Sequence, residues 1–535
     1  MNMRSLCIFI FVNVETLSFF TIGSMFSRWS RIEQFQTNRK FPFINKKQKE
    51  PDTMANRQQF YLGGSFKPVT HEVQYSYRHN NSLFSELGGF YAQIGSNPQF
   101  PSSHGYHLFD GDGMIHGVFF NNSWIHYRNK WIKTRRFKVE RKWKRKMYLQ
   151  LGELRGLRGV LEILRYSVME ALGFLPPAKG TANTALMSWQ NSTYALHESD
   201  MPYEIAIDQK NYSIHTLHRM NHTLLHSTTA HPKISKDNKS IYMYGYNNYD
   251  FSQGRFYCNK FNSSMDLVER TIVKLRNNGI VHDVGFTGRY MIIPDMPLKY
   301  DPGRILQKEL PLYFDKKHGR TRFGILDLDT PEEPQWFSFY ENFFIFHFIC
   351  SQETSFAFIT HACVMENLYM DDFIHLDNPE HKIRGNIRLR KIVLHRFTQE
   401  TSILTNPYIE NLPSISYEYN LDFPLQSSVN PDRVYCCIFN ASSGNIQGYM
   451  AIDTTHFQSA LPCVFQFPEG IYGNSEPQIV TIRGREWLLT FIQSHEGNVN
   501  FISLIDVFTN EMEMIPIPYR IPSGFHSIFM NETTQ

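Results

Sequence analysis

Four histidines stand where an imidazole is costly to leave idle. His231 lies in TTAHPK, His282 opens the run VHDVGFTGRYMIIPDMPL, His347 sits inside NFFIFHFIC, and His526 lies in IPSGFHSIF. A ring embedded among Phe and Ile loses hydration, and its nitrogens must be used by hydrogen bonds or by a metal ion. Successive separations of 51, 65 and 179 residues exclude the short-range zinc patterns. If the four serve one ion, each must arrive on its own strand or blade. Spacing alone leaves a second reading open, in which His282 is a loop histidine hydrogen-bonded to Asp283.

The elements available to deliver them are short and extended. From about residue 54, runs such as IHGVFF, IYMYGY, RYMIIP, FGILDL, YCCIFN and NFISLIDVF alternate with clusters of Gly, Asn, Asp and Pro. Aromatic and β-branched enrichment with frequent turn signals predicts an all-β protein of many short strands. Nearly 500 residues of this kind without a linker fit a closed radial architecture, a β-propeller, better than a row of sandwiches. One segment departs. Residues 128–146 carry eleven Lys or Arg against one acid, Glu140, and 147–180 place Leu151, Leu154, Leu157, Val160, Leu161, Leu164, Val168 and Leu172 at helical spacing before Gly173 and Pro176. Basic residues beside an amphipathic helix suit an anionic membrane surface. They equally suit a solvated face followed by a core helix.

Composition narrows the class. The chain of 535 residues is 42% hydrophobic and 15% aromatic, enough for a large core. A net charge of +4 gives no sign of a nucleic-acid partner. Seven cysteines at 7, 258, 350, 363, 436, 437 and 463 form no CxxC pair, which fits reduced thiols in a cytoplasmic setting. The apolar stretch at 6–26 is broken by Glu15 and falls short of an uninterrupted span of about 20 residues. Residues 1–53 are therefore read as an N-terminal extension, a targeting segment or an over-extended start, ahead of a propeller domain at 54–535.

HLFDGDGMIHGV (107–118), TANTAL (181–186), LHESDMPYEI (196–205), TTAHPK, GYN (245–247), VHDVGFTGRYMIIPDMPL, FHF and PSGFH follow one another in this chain. In kind and order they resemble the carotenoid cleavage oxygenase family, from about residue 60 to the end. The resemblance implies a seven-bladed β-propeller with a helical and loop cap over an iron-bearing axial face. It implies one Fe(2+) per subunit, held by His231, His282, His347 and His526, with no organic cofactor. Neutral imidazoles suit Fe(II), and four of them leave positions open for O2. No separate protein acid or base is implied.

Ligand histidines need their second nitrogen fixed, commonly by carboxylates. By resemblance those are Glu198 in LHESD and Glu476 in NSEPQIV. The third family position, a Glu-Phe-Pro motif, is read at Asn411-Leu412-Pro413 with Glu410 one place early, so that either Asn411 substitutes as an amide or the backbone is shifted. Asp283 is expected as a supporting acceptor and Thr184 as the side chain crowding an open iron position. Cys350 stands where relatives carry Asn after the histidine. Asp110 and Asp112 in FDGDG are read as turn residues capping backbone amides. The family's membrane-entry patch corresponds to 128–175, with Leu151, Leu154, Leu157, Leu161 and Leu164 as the entering side chains. The activity implied is O2-dependent cleavage of a conjugated C=C bond of a carotenoid or apocarotenoid into two carbonyl products, by an enzyme attached peripherally to a membrane or lipid droplet. A retinoid-type isomerase on the same iron, a silent apocarotenoid-binding regulator and a stilbenoid substrate are the rival readings.

Overall fold

The computed structural model describes residues 60–532 apart from 102–104, 177–179, 221–226, 247–253, 278, 375–385, 397–406, 412–418, 441–442, 456–460 and 495–498. The extension 1–53 and Asn247 of GYN lie outside these residues. Six sheets of blade size ring one axis, and the nine-stranded one is two blades stitched together by Ile471–Gly473, giving seven blades. The inner strands are Ala185–Trp189, Lys233–Ile234, Gly285–Phe286, Phe344–Glu353, Asn420–Gln426, Gln478–Ile482 and Ser527–Asn531. The expected seven-bladed β-propeller is the fold.

The ring closes by pairing the two ends of the chain. Ser527–Asn531 runs antiparallel to Gly89–Gln93, so the last strand becomes the innermost strand of the first blade. Closure explains why so many strands read as continuous apolar runs. Phe90–Ser96 are buried throughout because each blade is covered on both faces by its neighbours. Separate hydrophobic clusters fill the wedges: Phe90, Ile115, Ala195 and Ile205 lie in one, Met187, Leu196, Ile241 and Met243 in the next, and Tyr244, Phe256, Met291 and Leu326 in a third.

The cap grows from the segment between the strand Trp124–Trp131 and the inner strand Ala185–Trp189. It carries the helices α1 (Arg135–Trp143) and α2 (Gly156–Ala171). Thr134 starts α1 by accepting a hydrogen bond from the Phe137 amide at 3.0 Å. The basic run is not one surface. Arg128 ends up in a strand, and Arg136 is buried beside Glu140. Asp110 behaves as the turn residue expected, accepting from the amides of Leu151 at 2.7 Å and Gly152 at 2.9 Å, while Asp112 accepts from Gln99 at 2.9 Å. Gly113 is required where it stands: a Cβ there would lie 2.1 Å from the Ala182 carbonyl oxygen. Its amide donates to Thr181 O at 2.9 Å, which docks TANTAL onto FDGDG.

The membrane-entry set needs correction. Leu157, Leu161 and Leu164 are 73%, 56% and 45% exposed, but Leu151 and Leu154 are only 3% and 1% exposed and belong to the cap core. The periodicity breaks because Asp110 pins the Leu151–Glu153 turn inward and Gly152 packs on the Gly105 backbone. The helix restarts at Gly156, whose φ of 61° redirects the chain. From there Leu157, Leu161, Leu164, Val168 and Leu172 form an exposed stripe, and Ile163 and Tyr166 face the core. Leu154→Ala should therefore cost about 2–5 kcal/mol of stability, and Leu161→Ala roughly 0.5 kcal/mol or less. Chemical denaturation of both variants checks this, and equal losses would contradict the assignment.

Candidate metal centre

His231, His282 and His526 each just precede a different inner strand and His347 lies inside a fourth, so the ring brings the four side by side. Ring centroids of His231 lie 4.6, 5.1 and 4.7 Å from those of His282, His347 and His526. His347 lies 5.2 Å from His282 and 5.1 Å from His526. One ligand nitrogen each from His231, His347 and His526 falls within 4.8 Å of the others, and Nε2 of His231 and Nε2 of His282 are 3.0 Å apart. The convergence that spacing left open is realised.

Three of the rings are oriented from behind by carboxylates. His282 Nδ1 meets Glu198 Oε1, His347 Nδ1 meets Asp422 Oδ1 at 2.7 Å, and His526 Nδ1 meets Glu476 Oε2 at 3.0 Å. A carboxylate only accepts, so the proton of each pair lies at Nδ1 and the Nε2 lone pair is left for the centre. Electrostatics favour neutral rings at His231 and His282. Burial first, and then the neighbouring imidazoles, push His231 and His282 well below the usual histidine range. Burial pushes His347 down too, but the Asp422 carboxylate outweighs it and the net shift is upward. Burial raises Glu198 well above the carboxylate range against the opposing hydrogen bond from Tyr246. A cluster of four imidazoles, three of them backed by buried acids, fits a divalent transition metal.

Glu198 and Glu476 are where the resemblance placed them, and the third carboxylate is not. The place expected of Asn411 is taken by Asp422, in Asp422-Phe423-Pro424 of LDFPL. The family's Glu-Phe-Pro thus survives as Asp-Phe-Pro further along the chain, and a search for any acid before Phe-Pro would have found it. The side chain of Asn411 lies outside the described residues; its backbone ends the strand Tyr408–Asn411 opposite Arg390. The shorter acid comes with a local distortion. Phe423 has φ 50°, and the pairing register shifts between Asp422 and Leu425. This sets the Phe423 ring 5.4 Å from His347 and 5.0 Å from His526.

Asp283 answers why an acid follows His282. Its Oδ1 accepts from Lys233 Nζ at 2.6 Å, from the Val284 amide at 2.7 Å and from Tyr244 at 3.2 Å; Oδ2 accepts from the Phe348 amide at 2.8 Å. Tyr244 also donates to the His231 carbonyl at 2.9 Å. One carboxylate therefore ties the segments bearing His231, His282 and His347. It is the supporting acceptor expected. Thr184 is buried and its hydroxyl donates to Asn183 at 3.1 Å. Cys350 sits 3.5 Å from His361 Nδ1.

The family described as retinal pigment epithelial membrane protein matches residues 66–531. The chain belongs to that family. Among curated relatives, carotenoid 9,10(9′,10′)-cleavage dioxygenase 1 of Pisum sativum is 25% identical over 504 residues, covering 88% of this chain and 90% of that protein. The protein of the same name from Arabidopsis thaliana is 26% identical over 497 residues, with coverage of 88% and 90%. Among solved structures, a lignostilbene dioxygenase of Pseudomonas brassicacearum superposes with TM-score 0.70 at 16% identity, covering 89% of this chain and 99% of the other. A cobalt-substituted apocarotenoid oxygenase of Synechocystis superposes with TM-score 0.70 at 17% identity and the same coverage. These two structures share the fold.

Asp422→Ala should weaken metal retention by about 10–100-fold, and Asn411→Ala should leave it unchanged. Metal content after dialysis against a graded chelator series separates the two. A reversed order would return the third supporting role to Asn411.

Proposed function

From that membership we propose that the chain is a dioxygenase that cleaves a conjugated C=C bond of a carotenoid or apocarotenoid with O2, giving two carbonyl products, at one ferrous ion held by His231, His282, His347 and His526. The observation that carries the reading is the meeting of four imidazoles from four blades, three of them backed by Glu198, Asp422 and Glu476. The curated relatives bear the name of such enzymes. When bound, ferrous iron supplies the activation of O2. The residues of this chain do the rest: Nε2 lone pairs hold the ion, the acids keep protons on the far nitrogens, and Asp283 fixes the spacing of three ligand segments.

The aromatic surroundings suit a polyene. Phe346 packs on His282 at 5.2 Å, Phe423 covers His347 and His526, and Phe109 packs against Phe373 at 5.2 Å and edge-on against Phe525 at 5.8 Å. Such rings exclude water and stabilise cationic character in a bound chain. Thr184, one residue ahead of the inner strand Ala185–Trp189, is proposed to crowd an open position of the ion. A carboxylate, Asp422, beside His347 supports an active site over a silent binding protein.

Mass spectrometry of products from a panel of carotenoids, apocarotenals and stilbenoids in detergent micelles tests the activity. Two carbonyl fragments from a carotenoid or apocarotenal, formed only with iron, are expected. An intact but isomerised skeleton would favour an isomerase, and bound iron without O2 uptake a regulator. His347→Ala should lose both the iron and the products while keeping the fold, because the propeller is held by blade packing.

We also propose that the cap lies on a membrane or lipid-droplet surface, peripherally and from the cytoplasmic side. The stripe Leu157, Leu161, Leu164, Val168 and Leu172 supports this, with exposed Phe174 beyond it. Among the described residues no helix is long and apolar enough to cross a membrane. Replacing Leu157, Leu161 and Leu164 by Ser should abolish co-flotation with anionic liposomes without lowering thermal stability; undiminished flotation would remove the cap from the interface.

A further inference from the structure

The histidine cluster has two unlike sides. One is aromatic, built from Phe346, Phe423 and Phe525 with Phe109 behind them. The other is a cavity of about 250 Å³, formed partly by residues that follow the histidines along the inner strands, such as Lys233, Phe348 and Ser527, and partly by apolar side chains of the inner strand Ala185–Trp189. It touches His231, His347 and His526, and its wall includes Lys233, Asp283, Glu476 and Ser527, with none of Phe109, Phe346 or Phe525. Pro232, Lys233 and Ile234 are partly exposed, as is His231, so this stretch marks the solvent end.

We infer that this cavity is the port through which a hydrated divalent metal ion enters and leaves the four-histidine site. The inference rests on the metal-binding reading above and adds a route to it. A dication stripped of water among phenyl rings has nothing to replace its hydration. In the cavity carboxylates and a hydroxyl are present, and the space holds several waters. The wall also has the right sign. Asp283 and Glu476 give −2 and Lys233 gives +1, a formal −1, with Lys233 held against Asp283 at 2.6 Å. Ile234 is at the entrance and touches no ligand role, so the port can be obstructed there without changing the cluster.

The test follows Co2+ uptake by metal-free full-length protein through the visible absorption of the bound ion. Ile234→Cys is folded first and then capped with a bulky, reversible methanethiosulfonate reagent. Wild type treated identically controls for the partly exposed Cys350 and Cys463. Capping should slow uptake by about tenfold or more, the effect of a barrier raised by roughly 1.4 kcal/mol. The final stoichiometry should not change, and thiol treatment should restore the rate. Ile234→Trp should slow uptake permanently, and Phe109→Leu, on the aromatic side, should leave it unchanged. Uptake by the capped protein within about twofold of the uncapped rate, or acceleration by Phe109→Leu alone, overturns the port. Wild type that takes up no Co2+ would instead overturn the metal-binding reading itself.

Discussion

Four imidazoles can share one buried place only when they are neutral and present lone pairs to it. A protonated ring would repel its neighbours at centroid separations near 5 Å, and a ring with its proton turned inward could not serve a cation. The acids behind His282, His347 and His526 remove both failures by drawing each proton to Nδ1. That arrangement needs three buried carboxylates in fixed places, which only a rigid frame supplies. The closed ring is that frame, since every blade is packed between two neighbouring blades and the first blade is completed by the last strand.

Backbone detail then adjusts what the ring delivers. Asp283 reads the positions of three ligand segments at once through one carboxylate. The bulge and left-handed Phe423 let an aspartate, one carbon shorter than glutamate, support His347 and at the same time place a phenyl ring beside His347 and His526. Such strained positions persist where surrounding packing over-determines them.

The same economy joins the cap to the propeller. Asp110, in a turn of the first blade, holds the amides that open the cap turn, and Gly113 admits the strand that leads to the second blade. Two of the six leucines that look alike in the sequence are thereby drawn into the core, and the other four are left facing outward. Aromatic rings on one side and a cavity with carboxylates and a hydroxyl on the other give the centre two environments, one suited to hydrocarbon and one to water and ions.

The sequence by itself determined the all-β class and the turn role of Asp110, and its short motifs carried the resemblance that singled out the four histidines, Glu198 and Glu476. Those signals are local: β-branched and aromatic runs, glycines at tight approaches, and short motifs whose residue types carry their chemistry. What only the tertiary structure decided was the third acid and the true exposed face. Asp422 reaches His347 across 75 residues of chain through a bulge that no periodicity announces. Leu151 and Leu154 share the spacing of their exposed neighbours but are turned inward by a hydrogen bond from 41 residues away. Contacts remote in sequence fix direction, and direction is what composition and spacing cannot encode.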